Sequence, residues 1–169
     1  MGKNYTNRRS IRLRDYDYSH SGLYFITICT KDKTPMFGKI VDNEIILNQN
    51  GQIVQDCWLK TEQIRPNIIL GEFIVMPNHF HAIFAISDFL CQNVLNIPAN
   101  TSINNSGVSN TPLQSPSQTV GAIVRGFKSS VTKHIGFSVW QRNYHEHIIR
   151  NENSLQTISE YIINSSCYL

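Results

Sequence analysis

Phe73-Ile74-Val75-Met76-Pro77-Asn78-His79-Phe80-His81-Ala82-Ile83-Phe84-Ala85-Ile86 sets two apolar runs on either side of a Pro-Asn pair, with two histidines at the head of the second run. Runs rich in β-branched and aromatic residues predict two strands, at about 68–76 and 80–86, with a bend or bulge between them. Side chains alternate along a strand, so His79 and His81 share one face while Phe80 takes the other. Two neutral imidazoles on one face make a two-ligand site for a divalent ion and leave most coordination positions to water and substrate. The plainer reading is a pair of core histidines. Burying them without a task risks unpaired ring nitrogens at roughly 1–3 kcal/mol each, whereas coordination uses those nitrogens.

Outward from this stretch, Leu23-Tyr24-Phe25-Ile26-Thr27-Ile28-Cys29-Thr30 reads as a buried strand and Glu44-Ile45-Ile46-Leu47-Asn48 as a short one. Asn50 is placed to cap a helix running to about Ile64, with Ile53, Val54, Cys57, Trp58 and Thr61 at helical spacing. Residues 89–119 are dominated by Asn, Ser, Thr, Pro and Gln and read as a flexible polar loop. A helical stripe of Ile123, Val124, Phe127 and Val131 follows within 120–135, then a strand-like run over 139–149. Asn151 reads as the cap of a last helix, 152–164, carrying Leu155, Ile158, Tyr161 and Ile162. This order predicts an α+β domain, an antiparallel sheet of about five strands with helices packed mainly on one face. One domain spans 1–169, with a basic N-terminal arm over about 1–20.

A chain of 169 residues, 41% of them hydrophobic, suits one domain with a sizeable core. The net charge of +3 is compatible with an anionic partner. Basic residues gather at Lys3, Arg8, Arg9, Arg12 and Arg14 and again at Arg125, Lys128, Lys133 and Arg142; solvated surface charge accounts for either group equally well. Four cysteines without a Cys-x-x-Cys pair argue against a zinc knuckle or a disulfide framework and suit a reducing cytoplasm. No stretch reaches the roughly 18 apolar residues of a membrane span, and the polar N-terminus lacks a secretory core, so a cytoplasmic protein without membrane partners is expected.

Structural zinc sites close with four protein ligands, so a two-histidine site suits catalysis better, with the ion acting as a Lewis acid on a phosphoryl oxygen. The nucleophile has two candidates, Tyr144 in a strand-like segment and Tyr161 at helical spacing. A phenol ionises near pH 10 in water, and a neighbouring cation favours the phenolate. Each tyrosine has an equally simple structural reading as a sheet or core aromatic.

Several segments in order resemble the REP-associated tyrosine transposases, which belong with the insertion-sequence-200-like transposases among the HUH single-tyrosine enzymes. They are Arg9-Ser10-Ile11-Arg12-Leu13, Tyr24-Phe25-Ile26-Thr27-Ile28-Cys29-Thr30, Val75-Met76-Pro77-Asn78-His79-Phe80-His81, Gly126-Phe127-Lys128-Ser129-Ser130 and Trp140-Gln141-Arg142-Asn143-Tyr144-His145-Glu146-His147-Ile148-Ile149-Arg150. The resemblance implies a ferredoxin/RRM-like HUH fold, with Mg²⁺ or Mn²⁺ held by His79 and His81. It places the nucleophile at Tyr161, in Tyr161-Ile162-Ile163-Asn164. It also implies cleavage and rejoining of single-stranded hairpin DNA through a 5′-phosphotyrosine, by a monomer or homodimer. Arg8, Arg9, Arg12, Arg14, Lys128 and Arg142 are the expected phosphate contacts. The family usually carries a polar amide four residues after the tyrosine; Ser165 stands there, leaving Ser165 or His147 as the third ligand. Ser165, Ser166 in place of the usual proline, and the short tail to Leu169 motivate an alternative, a catalytically impaired hairpin-binding protein of the same fold. A hydrolase using activated water is a third reading.

Overall fold

The computed structural model describes residues 21–87 and 119–165. Arg8, Arg9, Arg12 and Arg14 of the expected basic arm, and nearly all of the expected polar loop, lie outside the described residues. The elements are β1 (Gly22–Cys29), β2 (Gly38–Val41), β3 (Glu44–Leu47), α1 (Gln49–Ile64), β4 (Ile68–Met76), β5 (His79–Ile86), α2 (Val120–Ile135), β6 (His145–Ile149) and α3 (Glu152–Asn164).

Alternation in β1 and β5 organises everything else. Tyr24, Ile26 and Ile28 of β1 and Phe80, Ala82, Phe84 and Ile86 of β5 join one buried cluster, and Leu23, Phe25 and Ile83 join a second. The sheet between the two clusters runs β4-β5-β1-β6, with every neighbouring pair antiparallel. The larger cluster lies under α1 and α2, where Trp58 meets Phe80, Phe84 and Phe127 edge-on at ring-centroid distances of 5.2, 5.8 and 5.1 Å. Edge-on geometry sets the positive rim of one ring against the electron-rich face of another.

The last helix takes the opposite face. Ile162 of α3 is buried against the cluster of Ile74, Met76, Ile83 and Ile149, with Leu155 and Ile158 packed beside it. Ser159 adds a hydrogen bond of 3.3 Å from its hydroxyl to Glu72, which stands in the bulge of β4. Helices therefore cover both faces, two on one side and one on the other, and the single helix shares its face with the histidine pair. Asn151 caps it, its side-chain oxygen accepting from the Ser154 N–H at 2.8 Å.

Three local expectations are corrected. The sheet holds four strands rather than about five, because the run at Glu44 pairs with Gly38–Val41 in a separate two-stranded ribbon. Asp42 and Asn43 close that ribbon at φ 52° and 65°, the twist of a type I′ turn that Asp and Asn tolerate. Asn48, not Asn50, caps α1, accepting from the Gly51 N–H at 3.0 Å. Gly51 passes so close to the Phe37 carbonyl that a Cβ would overlap it, which fixes where the helix starts. Lastly, the expected strand over 139–149 shortens to His145–Ile149, with Trp140 making an isolated bridge to Thr30. No helix among the described residues is long and apolar enough to cross a membrane.

Candidate active site

The expected bend between the two apolar runs is a tight hairpin turn. Met76 pairs with His79 across a loop of two residues, Pro77 and Asn78. Proline fixes φ at the first turn position, and the chain between β1 and β2 clamps the tip. The Pro77 carbonyl accepts from the Met36 and Phe37 N–H groups at 2.8 and 3.0 Å, and the Asn78 carbonyl from the Thr30 N–H at 2.9 Å. His79 leaves this turn and begins β5, so the first histidine projects from a backbone held on two sides.

His79 and His81 emerge on the α3 face, ring centroids 4.5 Å apart and inclined at 75°. Each has its Nδ1 engaged. His79 Nδ1 lies 2.6 Å from Asn78 Oδ1, and His81 Nδ1 lies 2.8 Å from Thr27 Oγ1. Phe25 stacks on the His81 ring at 5.4 Å and 20°. Burial lowers the pKa of His79. It lowers that of His81 to about 4, with the charges of His79 and His145 adding smaller effects in the same direction. Both rings are therefore neutral at pH 7, each with Nδ1 engaged by a neighbouring side chain.

This depression has a consequence for stability. The unfolded imidazole of residue 81 takes up a proton near its ordinary 6.5, while the folded one resists until about 4. Its contribution is thus intact above pH 6.5 and is lost as pH falls from there to about 4. Denaturant titrations at stepped pH should show wild type losing roughly 3 kcal/mol more across that window than His81→Phe, in which the group is absent. Parallel curves for the two proteins would refute this.

α3 brings the tyrosine. With Ile162 turned into the sheet, Tyr161 falls on the flank of the helix, 53% exposed, and its hydroxyl lies 3.4 Å from His81 Nε2. The two rings meet at 5.4 Å and 72°. Tyr161 is thus not a core aromatic. Tyr144 is on the other side of the sheet, packed against the Trp58–Phe127 cluster, so only one of the two tyrosines shares a face with the histidines.

The residues considered as third ligand do not join the pair. The Ser165 hydroxyl donates to the Tyr161 carbonyl at 2.5 Å, one turn back in its own helix. His147 points to the histidine face but stands opposite Phe25, with β1 between it and β5. The cross-sheet row through His81 is instead His81–Thr27–His145. Among the described residues no group of three or more His, Cys, Asp or Glu is arranged to hold a metal. The donor set fits an open site of two imidazoles, with the other positions going to water and substrate.

Of the expected DNA contacts among the described residues, Lys128 is largely committed elsewhere. Its ammonium donates to the Gln141 and Arg142 carbonyls at 2.5 and 3.2 Å, and burial lowers its pKa. It therefore ties α2 to the segment that carries Arg142. Arg142 itself lines an open cleft with Lys31, Asp32, Lys33 and Trp140. Lys31 and Lys33 were not foreseen, since nothing in the sequence placed their turn beside residue 142. Thr27, Asn78 and His145 were missed as well. Strand parity would have found Thr27 and His145, since both lie on the histidine side of their strands.

No protein-family model matches the chain. A protein of Haemophilus influenzae described as uncharacterized is 42% identical over 164 residues, spanning 94% of this chain and 88% of that one. Among solved structures, a REP-associated tyrosine transposase bound to a REP hairpin aligns over 92% of this chain and 72% of its own, with a TM-score of 0.58 and 18% identity. At that identity the likeness establishes a shared fold.

Proposed function

Because the chain belongs to the same protein family as its Haemophilus influenzae relative and has the fold of a REP-associated tyrosine transposase, we propose that it nicks and rejoins single-stranded hairpin DNA through a tyrosine nucleophile. The observation that carries this reading is the 3.4 Å approach of the Tyr161 hydroxyl to His81 Nε2. Tyr161 Oη attacks a backbone phosphorus, a phosphotyrosine forms on the 5′ side, and the sugar O3′ leaves. The phenolic proton passes through water to that leaving oxygen. The new ester keeps the bond energy of the old one, so a later attack by a sugar hydroxyl rejoins DNA without another energy source.

His79 and His81 would hold Mg²⁺ or Mn²⁺; a pair of nitrogen ligands suits Mn²⁺ better than the harder Mg²⁺. A bound ion would supply Lewis-acid stabilisation of the charge that builds on the non-bridging phosphate oxygens. The protein's own part is orientation. The Tyr161 hydroxyl is held by α3 against the histidines of the same chain, which supports a site completed in cis by a single subunit. Arg142, Lys31 and Lys33 offer positive charge to the strand that leaves it. Mixing labelled hairpin oligonucleotide with the full chain and Mn²⁺ should give a complex that survives denaturing electrophoresis and disappears with EDTA. Salt-sensitive binding with no covalent product under any metal would leave the second reading, a hairpin-binding protein without chemistry. That reading is favoured by Ser165, which turns back on its own helix where the resembling family carries an amide.

A further inference from the structure

We propose that Asn78 is a positioning residue that fixes the His79 ring in its Nδ1-protonated tautomer and so aims the Nε2 lone pair at the metal; this rests on reading His79 and His81 as metal ligands. A neutral imidazole carries one ring proton, and only the nitrogen without it can coordinate. In water the Nε2-protonated form is the commoner one, which would close the coordinating position. The Asn78 side-chain oxygen, 2.6 Å from His79 Nδ1, has lone pairs and no hydrogen, so Nδ1 must bring the proton to this bond. Nε2 is thereby left open. Outer partners of this kind set the tautomer and orientation of metal-bound histidines, and their loss typically costs 10–100-fold in metal affinity.

What makes Asn78 suited to this is the immobility of its backbone. Its carbonyl accepts from the Thr30 N–H and lies 2.9 Å from the Thr30 hydroxyl. The preceding Pro77 carbonyl takes two further N–H groups. The Met36 carbonyl of that clamping segment in turn accepts from the side-chain amide of Asn48, the cap of α1. A side chain leaving so fixed a turn reaches the neighbouring ring at little entropic cost. These backbone bonds do not involve the Asn78 amide, so its replacement leaves the hairpin in place.

The test uses the full-length, metal-free chain and Mn²⁺ alone as probe. Two-dimensional ¹H–¹⁵N spectra of the histidine rings report the tautomer directly. Wild type should show a protonated Nδ1 and an unprotonated Nε2 at His79. Asn78→Ala should shift it toward the Nε2-protonated form, and calorimetry should show a 10–100-fold weaker Mn²⁺ affinity. Asn78→Asp, which keeps an accepting oxygen, should restore both the tautomer and at least wild-type affinity. An unchanged tautomer and affinity in Asn78→Ala would overturn the role of Asn78. If wild type bound no Mn²⁺ while the tautomer still followed residue 78, the failure would lie in the metal reading and would remove the purpose assigned to Asn78.

Discussion

Tyr161→Phe is expected to yield a folded chain that forms no covalent complex with hairpin DNA, whereas Tyr144→Phe retains the complex. The substitution removes one oxygen and keeps the ring that meets His81 at 5.4 Å. The side chain is 53% exposed, so stability should change by no more than about 0.5 kcal/mol. Activity should fall by about three orders of magnitude or more, as the attacking role proposed for Tyr161 requires. Tyr144 lies across the sheet against the aromatic core, where loss of its hydroxyl leaves the histidine face untouched. Adduct formation measured by denaturing electrophoresis decides between them, and an adduct lost in Tyr144→Phe but kept in Tyr161→Phe would reverse the assignment. Free cleaved ends made equally well by Tyr161→Phe would point to activated water. If the site is completed in cis, as proposed, mixing Tyr161→Phe chains with His81→Ala chains should restore nothing, whereas recovered adduct would show that the tyrosine serves a partner's histidines.

The largest effect on stability is expected at a residue that never touches substrate. Phe80 sits between the two histidines in sequence, is fully buried, and packs against Trp58, Phe127 and Phe73 at ring-centroid distances of 5.2, 5.0 and 6.2 Å. Phe80→Ala removes the ring that joins β5 to both α1 and α2 and should cost about 3–5 kcal/mol. For a domain of this size the melting temperature should fall by about 6–20 °C. Mn²⁺ binding should weaken alongside, since the strand that carries both imidazoles loses its support from beneath. Calorimetric melting checks the first expectation, and a drop of less than about 1 kcal/mol would mean that the core closes over the gap.

The sequence marked the strands at 68–76 and 80–86, the helices 120–135 and 152–164, and the shared face of the histidines, because each rests on local periodicity. What it left open depended on relations between elements. The stripe of Leu155, Ile158 and Ile162 announces an amphipathic helix but is silent about which side of the sheet it covers. The placement of Tyr161 turns on that side. Spacing alone left Tyr144 and Tyr161 equal, and resemblance to a family chose between them. The structure separates them by face. The Gly38–Val41 strand escaped notice because four residues of mixed character give a weak period, although Asp42-Asn43 was a readable turn signal. Asn48 and Asn50 were both chemically able to cap α1, and the close passage of Gly51 over Phe37, a tertiary fact, decided it.

The two-residue alternation of β5 ties the survival of the fold to the survival of the site. A slip of one position against β1 would carry Phe80, Phe84 and Ile86 out to the histidine face and drop His79 and His81 among the aromatics. Such a chain would lose its core and its paired histidines in the same event. Selection for folding alone therefore also guards the register that pairs the two histidines. Mutations that tune chemistry are left free to accumulate at positions such as 27, 145 and 165, whose side chains form no part of either buried hydrophobic cluster.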